Sequence, residues 1–372
     1  MGLVHFIGPG ERVWFRRCRR AWDLGSPNRQ NLEPQSASTA FDLTAAVRKA
    51  LAVWYFPGMW EWPRAIVLPR ALQAFDEMVT RGEGQGDAAD RARATLERYF
   101  GWAPTVDAFA PVRVENDFEA NIPDVRTQDQ ALVDGDGRPV RYIDRVPLLI
   151  VDAADTYWIM EHRLVDDGWA DREELLLADR PVAAAWGWEQ FYLGMVIAGT
   201  VHNELRPTGV GPPDDEPGAG GAARHPRSRD WARSRAAGRD PASAGQTAGS
   251  PVLQAGPADP VVQEDRGWFR RTWIRRTRAE IDGIGQRLSV EVLDMLDSGL
   301  ALYPSPSPEH CGPCRYRAPC LAMNEGTDVA GVLATGFRER DLDQPEEGRL
   351  GGGIWSMNRG AAPPPNWRKP PT

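Results

Sequence analysis

The sequence predicts an α/β fold in which a mixed central sheet is flanked by helices. Three observations support this prediction: helical periodicity near the start, strand-like alternation in the middle, and a further helical pattern after it. Because the helical and strand segments follow one another in blocks, the sheet is expected in the middle of the domain.

The first helical pattern covers residues 37–56, where Phe41, Val47, Leu51 and Trp54 recur at helical spacing and Pro57 ends the run. Similar patterns predict helices over 64–82 and 86–100, on either side of a glycine-rich turn. Alternation then predicts strands, which cover 111–122, 140–152 and 156–165. A helix rich in Trp, Ala and Met is predicted over 180–203, and a long one over 264–298.

Composition divides the chain into four parts. Residues 1–206 are predicted to hold the α/β core, and 207–262 are rich in Pro, Gly, Ala, Ser and Arg without periodicity, which predicts a disordered linker or insertion. Residues 263–323 are predicted to form a C-terminal helix with a cysteine loop. An extended tail over 324–372 completes the chain.

Charge and hydropathy limit the class of protein. No run of 18 apolar residues exists, so no membrane-spanning helix is expected, and the first residues lack the order of a secretory signal. We therefore expect a cytoplasmic protein. The net charge of −8 argues against unselective coating of nucleic acid, but arginines cluster over 12–20 near the start and over 266–278 in the later helical pattern. Only two lysines are present, Lys49 and Lys369.

The four cysteines form a pattern typical of a metal site. Cys311, Cys314 and Cys320 have the spacing C-x2-C-x5-C, and Cys18 is the only other cysteine. In a cytoplasmic protein, closely spaced cysteines bind metal more often than they form disulfides. Four thiolates suit either a tetrahedral zinc ion or a 4Fe–4S cluster. Either group would join the N-terminal and C-terminal segments.

Two acidic residues on neighbouring predicted strands form a second candidate site. Asp144 lies in the first strand, and Glu161 and Arg163 lie two apart in the second, so their side chains project to one face. The two carboxylates are hard oxygen ligands for a divalent cation such as Mg²⁺ or Mn²⁺. Such an ion can assist attack on a scissile phosphate.

Taken together, this layout resembles the RecB-like branch of the PD-(D/E)XK nucleases, specifically the iron–sulfur exonucleases related to the CRISPR adaptation nuclease. The resemblance covers residues 14–205 and 264–323 and is most specific in its cysteine pattern. It implies a restriction-endonuclease-like fold, a structural 4Fe–4S cluster on the four cysteines, and DNA as substrate. A helicase or recombination protein is implied as a further partner.

The resemblance also assigns roles to individual residues. Asp144 matches the motif aspartate, and Glu161 matches the second acid that binds the metal. Gln190 matches the glutamine of the following helix. Either Glu115 or Glu119 matches an extra acid of the preceding strand.

Three positions depart from the family pattern. Arg48 stands where the family has a metal-binding histidine, and Arg163 stands where it has the catalytic lysine. Gly194 occupies the expected tyrosine position, with Tyr192 nearby. A guanidinium can clamp a phosphate but cannot give up its proton to act as a base. His162 is expected to point away from Glu161, and His202 has no evident partner. His310, beside Cys311, is either a stray zinc ligand or a loop residue.

These features predict a metal-dependent DNA nuclease, an exonuclease or flap-type enzyme. The alternative is a catalytically weak or inactive member of the same fold that binds DNA or a partner protein, as Arg48 and Arg163 would favour. A third alternative is a zinc-clamped scaffold without a role on nucleic acid, which the acidic balance would favour.

Overall fold

The structure is a computed structural model, and it describes residues 4–35, 41–82, 86–127, 130–165, 168–207, 261–265 and 267–340. Within these ranges no helix is both long and apolar enough to cross a membrane. The predicted linker lies outside the described residues, apart from Pro207, Val261 and Val262. The last part of the predicted tail, 341–372, also lies outside them.

Seven strands form one mixed sheet, and the predicted α/β class is confirmed. These strands are β1 (His5–Ile7), β3 (Phe109–Asn121), β4 (Val140–Asp152), β5 (Tyr157–Leu164), β6 (Ile197–Leu205), β7 (Val261–Asp265) and β8 (Phe269–Arg275). Their order is β1-β4-β5-β6-β8-β7, with β3 paired to the other edge of β4. β1 runs parallel to β4 and β5 parallel to β6, whereas the remaining pairs are antiparallel.

Helices cover both faces of the sheet. Their bounds are α1 (Pro9–Arg17), α2 (Arg19–Gly25), α3 (Leu43–Trp54), α4 (Arg64–Arg81), α5 (Asp87–Val106), α6 (Arg172–Leu177), α7 (Asp179–Phe191) and α8 (Arg278–Leu296). α1, α2, α7 and α8 pack on one face, here called the α7 layer. α3, α4 and α5 pack on the other face, here called the α3 layer.

Two predicted helices are wrong in part. The pattern over 180–203 continues only to Phe191, after which Gly194 adopts a φ of 91° and the chain enters β6. In the pattern over 264–298, residues up to Arg275 form β7 and β8, and the helix begins at Arg278 after a capping box on Thr277 and Glu280. The predicted C-terminal part therefore contributes strands to the central sheet.

The predicted tail is also wrong over its first residues. After α9 (Pro308–Cys311) and α10 (Arg317–Glu325), the chain forms α11 (Val329–Gly336) and β9 (Phe337–Glu339). β9 pairs antiparallel with β2 (Leu32–Pro34). The N-terminal and C-terminal segments therefore lie against each other.

Candidate functional site

The candidate site lies where strands β4 and β5 separate. β4 pairs with β5 only from Leu148 to Val151, and at its other end the same edge of β4 pairs with β1 at 140–142. Asp144 lies between these two pairings. Glu161 comes directly after Met160, the last residue of β5 paired with β4. The two carboxylates therefore flank the opening between the strands.

The structure places both carboxylates on the same face of the sheet. Tyr142 and Val146 lie in the α7 layer, and Asp144 alternates in phase with them. Ile159 lies in the same layer, so Glu161 and Arg163, two and four residues further on, also project toward it. Asp144 and Glu161 therefore face α7 together.

This arrangement depends on an irregularity in the sheet. In β4 the even positions face the α7 layer up to Val146, but Leu148 faces the α3 layer. The change occurs at Pro147, which has no N–H to donate to a neighbouring strand. A regular strand would have put Asp144 on the face of Leu148, away from Glu161.

β3 changes phase at the matching position. Val114 faces the α3 layer, whereas Phe118 faces the α7 layer. Between them Glu115 has a φ of 45°, which is uncommon for a residue other than glycine. Val114 pairs with Leu148 and Asn116 with Val146, so Glu115 lies opposite the proline. Backbone strain of this kind clusters at functional sites.

Asp144 is buried and fully hydrogen-bonded. Its Oδ2 accepts from the Tyr142 hydroxyl at 3.0 Å, and its Oδ1 accepts from the Arg145 backbone N–H at 2.7 Å. The Arg180 guanidinium, on the first turn of α7, lies 3.4 Å from Oδ1. Three donors from two elements therefore hold this carboxylate in place.

Glu161 has a different environment. Among the described residues, no hydrogen bond or ion pair involves its carboxylate, and the residue is partly buried. Burial raises the pKa of Glu161, and the nearby Asp144 charge also raises it, although Arg180 opposes both effects. A partly buried carboxylate that has a raised pKa and no donor from the protein is typical of a ligand-binding group.

Three arginines surround the carboxylates. The charges of Arg180, Arg163 and Arg48 all act to lower the pKa of Glu161. The buried Nε atoms of Arg48 and Arg180 have no acceptor among the described residues. Arg48 reaches Glu115 at 3.7 Å, and Arg163 reaches Glu174 at 3.4 Å on the surface. Among the described residues, the site thus combines two Nε donors that have no acceptor with one carboxylate, that of Glu161, that has no donor.

Several predicted site residues lie elsewhere. Gln190 is exposed near the end of α7, ten residues from Arg180 and so about 15 Å along the helix. Tyr192 stacks on Trp188 beyond it. Glu119 is exposed and pairs with Arg141 at 3.0 Å, so Glu115 is the acid of β3 nearer the site.

The histidines follow the sequence prediction only in part. His162 faces the α3 layer, stacks on Tyr55 and accepts a hydrogen bond at Nδ1 from Asn203. His202 is buried beside Thr200. The side chain of His310 is exposed, and its backbone carbonyl accepts from Arg17 at 3.0 Å.

Arg180 and Tyr142 were not predicted as site residues. Tyr142 had a usable signal, because it lies two residues before Asp144 in the same strand and so shares its face. Arg180 had none, since its position depends on how α7 packs across the sheet.

The four cysteines occupy two segments that contact each other. Cys18 separates α1 from α2 in an extended conformation, and both Cys18 and Cys314 pack against a small apolar cluster formed by Ala21, Leu24, Tyr316 and Phe337. Burial raises the pKa of the Cys314 thiol, and the charges of Cys18 and Cys311 also act to raise it. Cys18, although distant in sequence, is therefore an electrostatic neighbour of Cys314, as is the nearby Cys311.

Cys320 belongs to the same region. Arg20, two residues after Cys18, lies 3.4 Å from the Cys320 sulfur and donates to Asn324 at 2.7 Å. All four cysteines are free thiols. Within the described ranges, no group of three or more His, Cys, Asp or Glu side chains has a geometry that could hold a single metal ion.

Comparison with protein-family models finds none that matches this chain, and none of the curated proteins matches it.

Proposed function

We propose that the chain is a metal-dependent DNA nuclease of the RecB-like PD-(D/E)XK type. The observation that carries the proposal is the carboxylate of Glu161, which is partly buried, accepts no hydrogen bond from the described residues and faces the same layer as Asp144. The phase changes at Glu115 and Pro147 bring these two acids to one face. The ladder between β3 and β4 has no pair between Glu115 and Pro147, and a functional site at this position would explain the loss.

The donor set suits a hard divalent cation. Asp144 and Glu161 would hold Mg²⁺ or Mn²⁺, and Mg²⁺ commonly uses only one or two carboxylates while it keeps several waters. That no third ligand residue joins them among the described residues is therefore compatible with this ion. When bound, such an ion supplies Lewis-acid activation of a phosphodiester.

The protein's own contribution is orientation and charge. Tyr142 and the Arg145 backbone fix Asp144, while the partly exposed guanidinium groups of Arg48 and Arg180 would bind a phosphate oxygen. Arg163 adds a third positive charge on the same face. It can hold the phosphate but cannot act as the general base.

The four cysteines would hold a structural 4Fe–4S cluster that joins the two ends of the chain. A zinc ion would need its four sulfurs within roughly 4 Å of one another, since each Zn–S bond is about 2.3 Å. A 4Fe–4S cluster takes thiolates that stand farther apart, because each binds a different iron. Both groups would use the same thiolates, and Cys18 and Cys311 lie close enough to Cys314 for their charges to act on it.

The test is DNA cleavage by anaerobically purified protein with Mn²⁺ or Mg²⁺. We expect slow, metal-dependent degradation of DNA ends that Asp144→Ala and Glu161→Ala abolish. Arg163→Lys should retain or raise the rate, because lysine would restore the proton-transfer group of the family. Absorption and metal analysis of the same preparation should show iron and sulfide rather than zinc. Cleavage that persists in both alanine variants would refute the proposed site.

A second candidate function is DNA binding without cleavage. It is favoured by the Arg180 guanidinium, which lies 3.4 Å from Asp144 and competes with a cation for that carboxylate. In that case each of Arg48, Arg163 and Arg180 would contact phosphate. Binding that weakens in their alanine variants, with no turnover in wild type or in Arg163→Lys, would support this candidate over the nuclease.

A further inference from the structure

Arg12 is a buried cation in the helix that precedes Cys18. Its residue is 2% exposed, and its guanidinium binds two carboxylates, Glu291 of α8 at 2.9 Å and Asp179 of α7 at 3.0 Å. The same guanidinium lies 6.0 Å from the ring centre of Tyr142. Arg12 therefore contacts α7, α8 and strand β4 from one position.

Two short paths lead from Arg12 to Asp144. In the first, the guanidinium packs near the Tyr142 ring, whose hydroxyl donates to Asp144 Oδ2 at 3.0 Å. In the second, it binds Asp179, the first residue of α7, and the adjacent Arg180 reaches Asp144 Oδ1 at 3.4 Å. Each oxygen of the carboxylate thus has one partner that Arg12 contacts directly or through Asp179.

Arg16 provides a natural comparison. It lies one turn further along α1 and binds the same two acids, Asp179 at 2.6 Å and Glu291 at 2.7 Å. Its side chain is 46% exposed, and no contact with Tyr142 is found for it among the described residues. A partly exposed ion pair contributes little because solvent screens it, whereas a buried cation that bridges several elements fixes their geometry.

We infer that Arg12 is a positioning residue that holds Asp144 and Arg180 in place through Tyr142 and Asp179, and that it links the helix carrying Cys18 to the carboxylate site. α1 is continuous from Pro9 to Arg17, so the cysteine lies about 9 Å further along the same helix. The consequence for catalysis rests on the proposed function, but the linkage itself does not.

The test compares Arg12→Gln with the matched control Arg16→Gln in the full chain. Hydrogen exchange is measured for the amides of 142–146 in β4 and 183–188 in α7. We expect exchange there to become about tenfold faster in Arg12→Gln and to change by less than about twofold in Arg16→Gln. Mn²⁺ titration followed by electron paramagnetic resonance should show a dissociation constant about tenfold higher in Arg12→Gln only.

Two additional variants keep the test decisive. Tyr142→Phe removes one path without removing a charge, so it should weaken Mn²⁺ binding even if Arg12→Gln does not fold. Cys18→Ser should speed exchange in 183–188, because it frees the end of α1. Equal exchange and equal Mn²⁺ affinity in the Arg12 and Arg16 variants would overturn the inference. If wild type binds no Mn²⁺, the proposed function fails, and the exchange comparison still decides the linkage.

Discussion

Lowering the pH should weaken the fold through His202, a histidine that the protein keeps neutral. The residue is 1% exposed in β6, and its Nε2 lies 3.2 Å from the Thr200 hydroxyl. Burial lowers the pKa of His202 to about 3, and the charges of Arg276, Arg163 and Arg270 act in the same direction. In the unfolded chain the pKa of histidine is about 6.5.

The sign and size of the effect follow from these two values. Between pH 6.5 and pH 3 the unfolded chain binds a proton at His202 and the folded protein does not, so the free energy of unfolding falls as the pH falls. Each pH unit corresponds to about 1.4 kcal/mol, which gives a loss of about 2 kcal/mol between about pH 7.5 and about pH 5. This figure holds for any folded pKa well below 5. His162, whose pKa is also lowered to about 3, chiefly by burial, should add a similar loss.

The assay is urea unfolding of wild type and His202→Gln at both pH values. Glutamine can still hydrogen-bond to Thr200 but binds no proton, and subtracting the two proteins removes the contribution of every other titrating group. We expect wild type to lose about 2 kcal/mol more than the variant on acidification. Parallel losses in the two proteins would refute the reasoning, because they would show that His202 takes up its proton in the folded state.

Three further predictions concern stability. Asp107→Ala should cost about 3–5 kcal/mol in urea unfolding, since it leaves the fully buried Arg271 without its carboxylate partner at 2.7 Å; a loss below about 1 kcal/mol would contradict this. Gly187→Ala should lower the melting temperature even though alanine favours helices by about 1 kcal/mol, because the added Cβ would lie 2.2 Å from the Phe118 ring; an unchanged melting temperature would contradict it. Cys18→Ser should remove the cluster absorption and lower the free energy of unfolding by up to about 5 kcal/mol, by the loop-closure estimate for such a cross-link. An unchanged spectrum would contradict a cluster that joins the two segments.

Local sequence patterns predicted much of the sheet. β4 has the predicted bounds, 140–152, and β3 and β5 differ by one or two residues at each end. Alternation also predicted that Glu161 and Arg163 share a face. These features depend on neighbours in sequence, so a single chain is enough to reveal them.

The phase change beside Asp144 could not be predicted in the same way. It results from Glu115 and Pro147 meeting across two strands, and that meeting depends on register. A period-of-two pattern assumes that no such change occurs, so it gives the face of Asp144 only relative to its neighbours in the same strand.

Buried charge hid another part of the fold. Arg271 in β8 is fully buried, with Asp107, Tyr55 and Tyr99 as partners, but in a sequence pattern an arginine is counted as a surface residue. Counting Arg271 as a surface residue hid the strand-like alternation of 269–275, so the helix was predicted to begin before these residues. The partners lie more than 150 residues away in sequence, so no local window contains the explanation.

The pairing of β2 with β9 has a consequence for how the chain folds during synthesis. About 300 residues separate Pro34 from Phe337, so at about 5–20 residues per second a ribosome needs roughly 15–60 s to supply the partner of β2. During that interval Leu24 and Leu32 lack the Tyr316 and Phe337 side chains that later cover them. The segment that contains β2 therefore stays uncovered while the residues between the two strands are synthesised, and chaperones and proteases have access to it during that time.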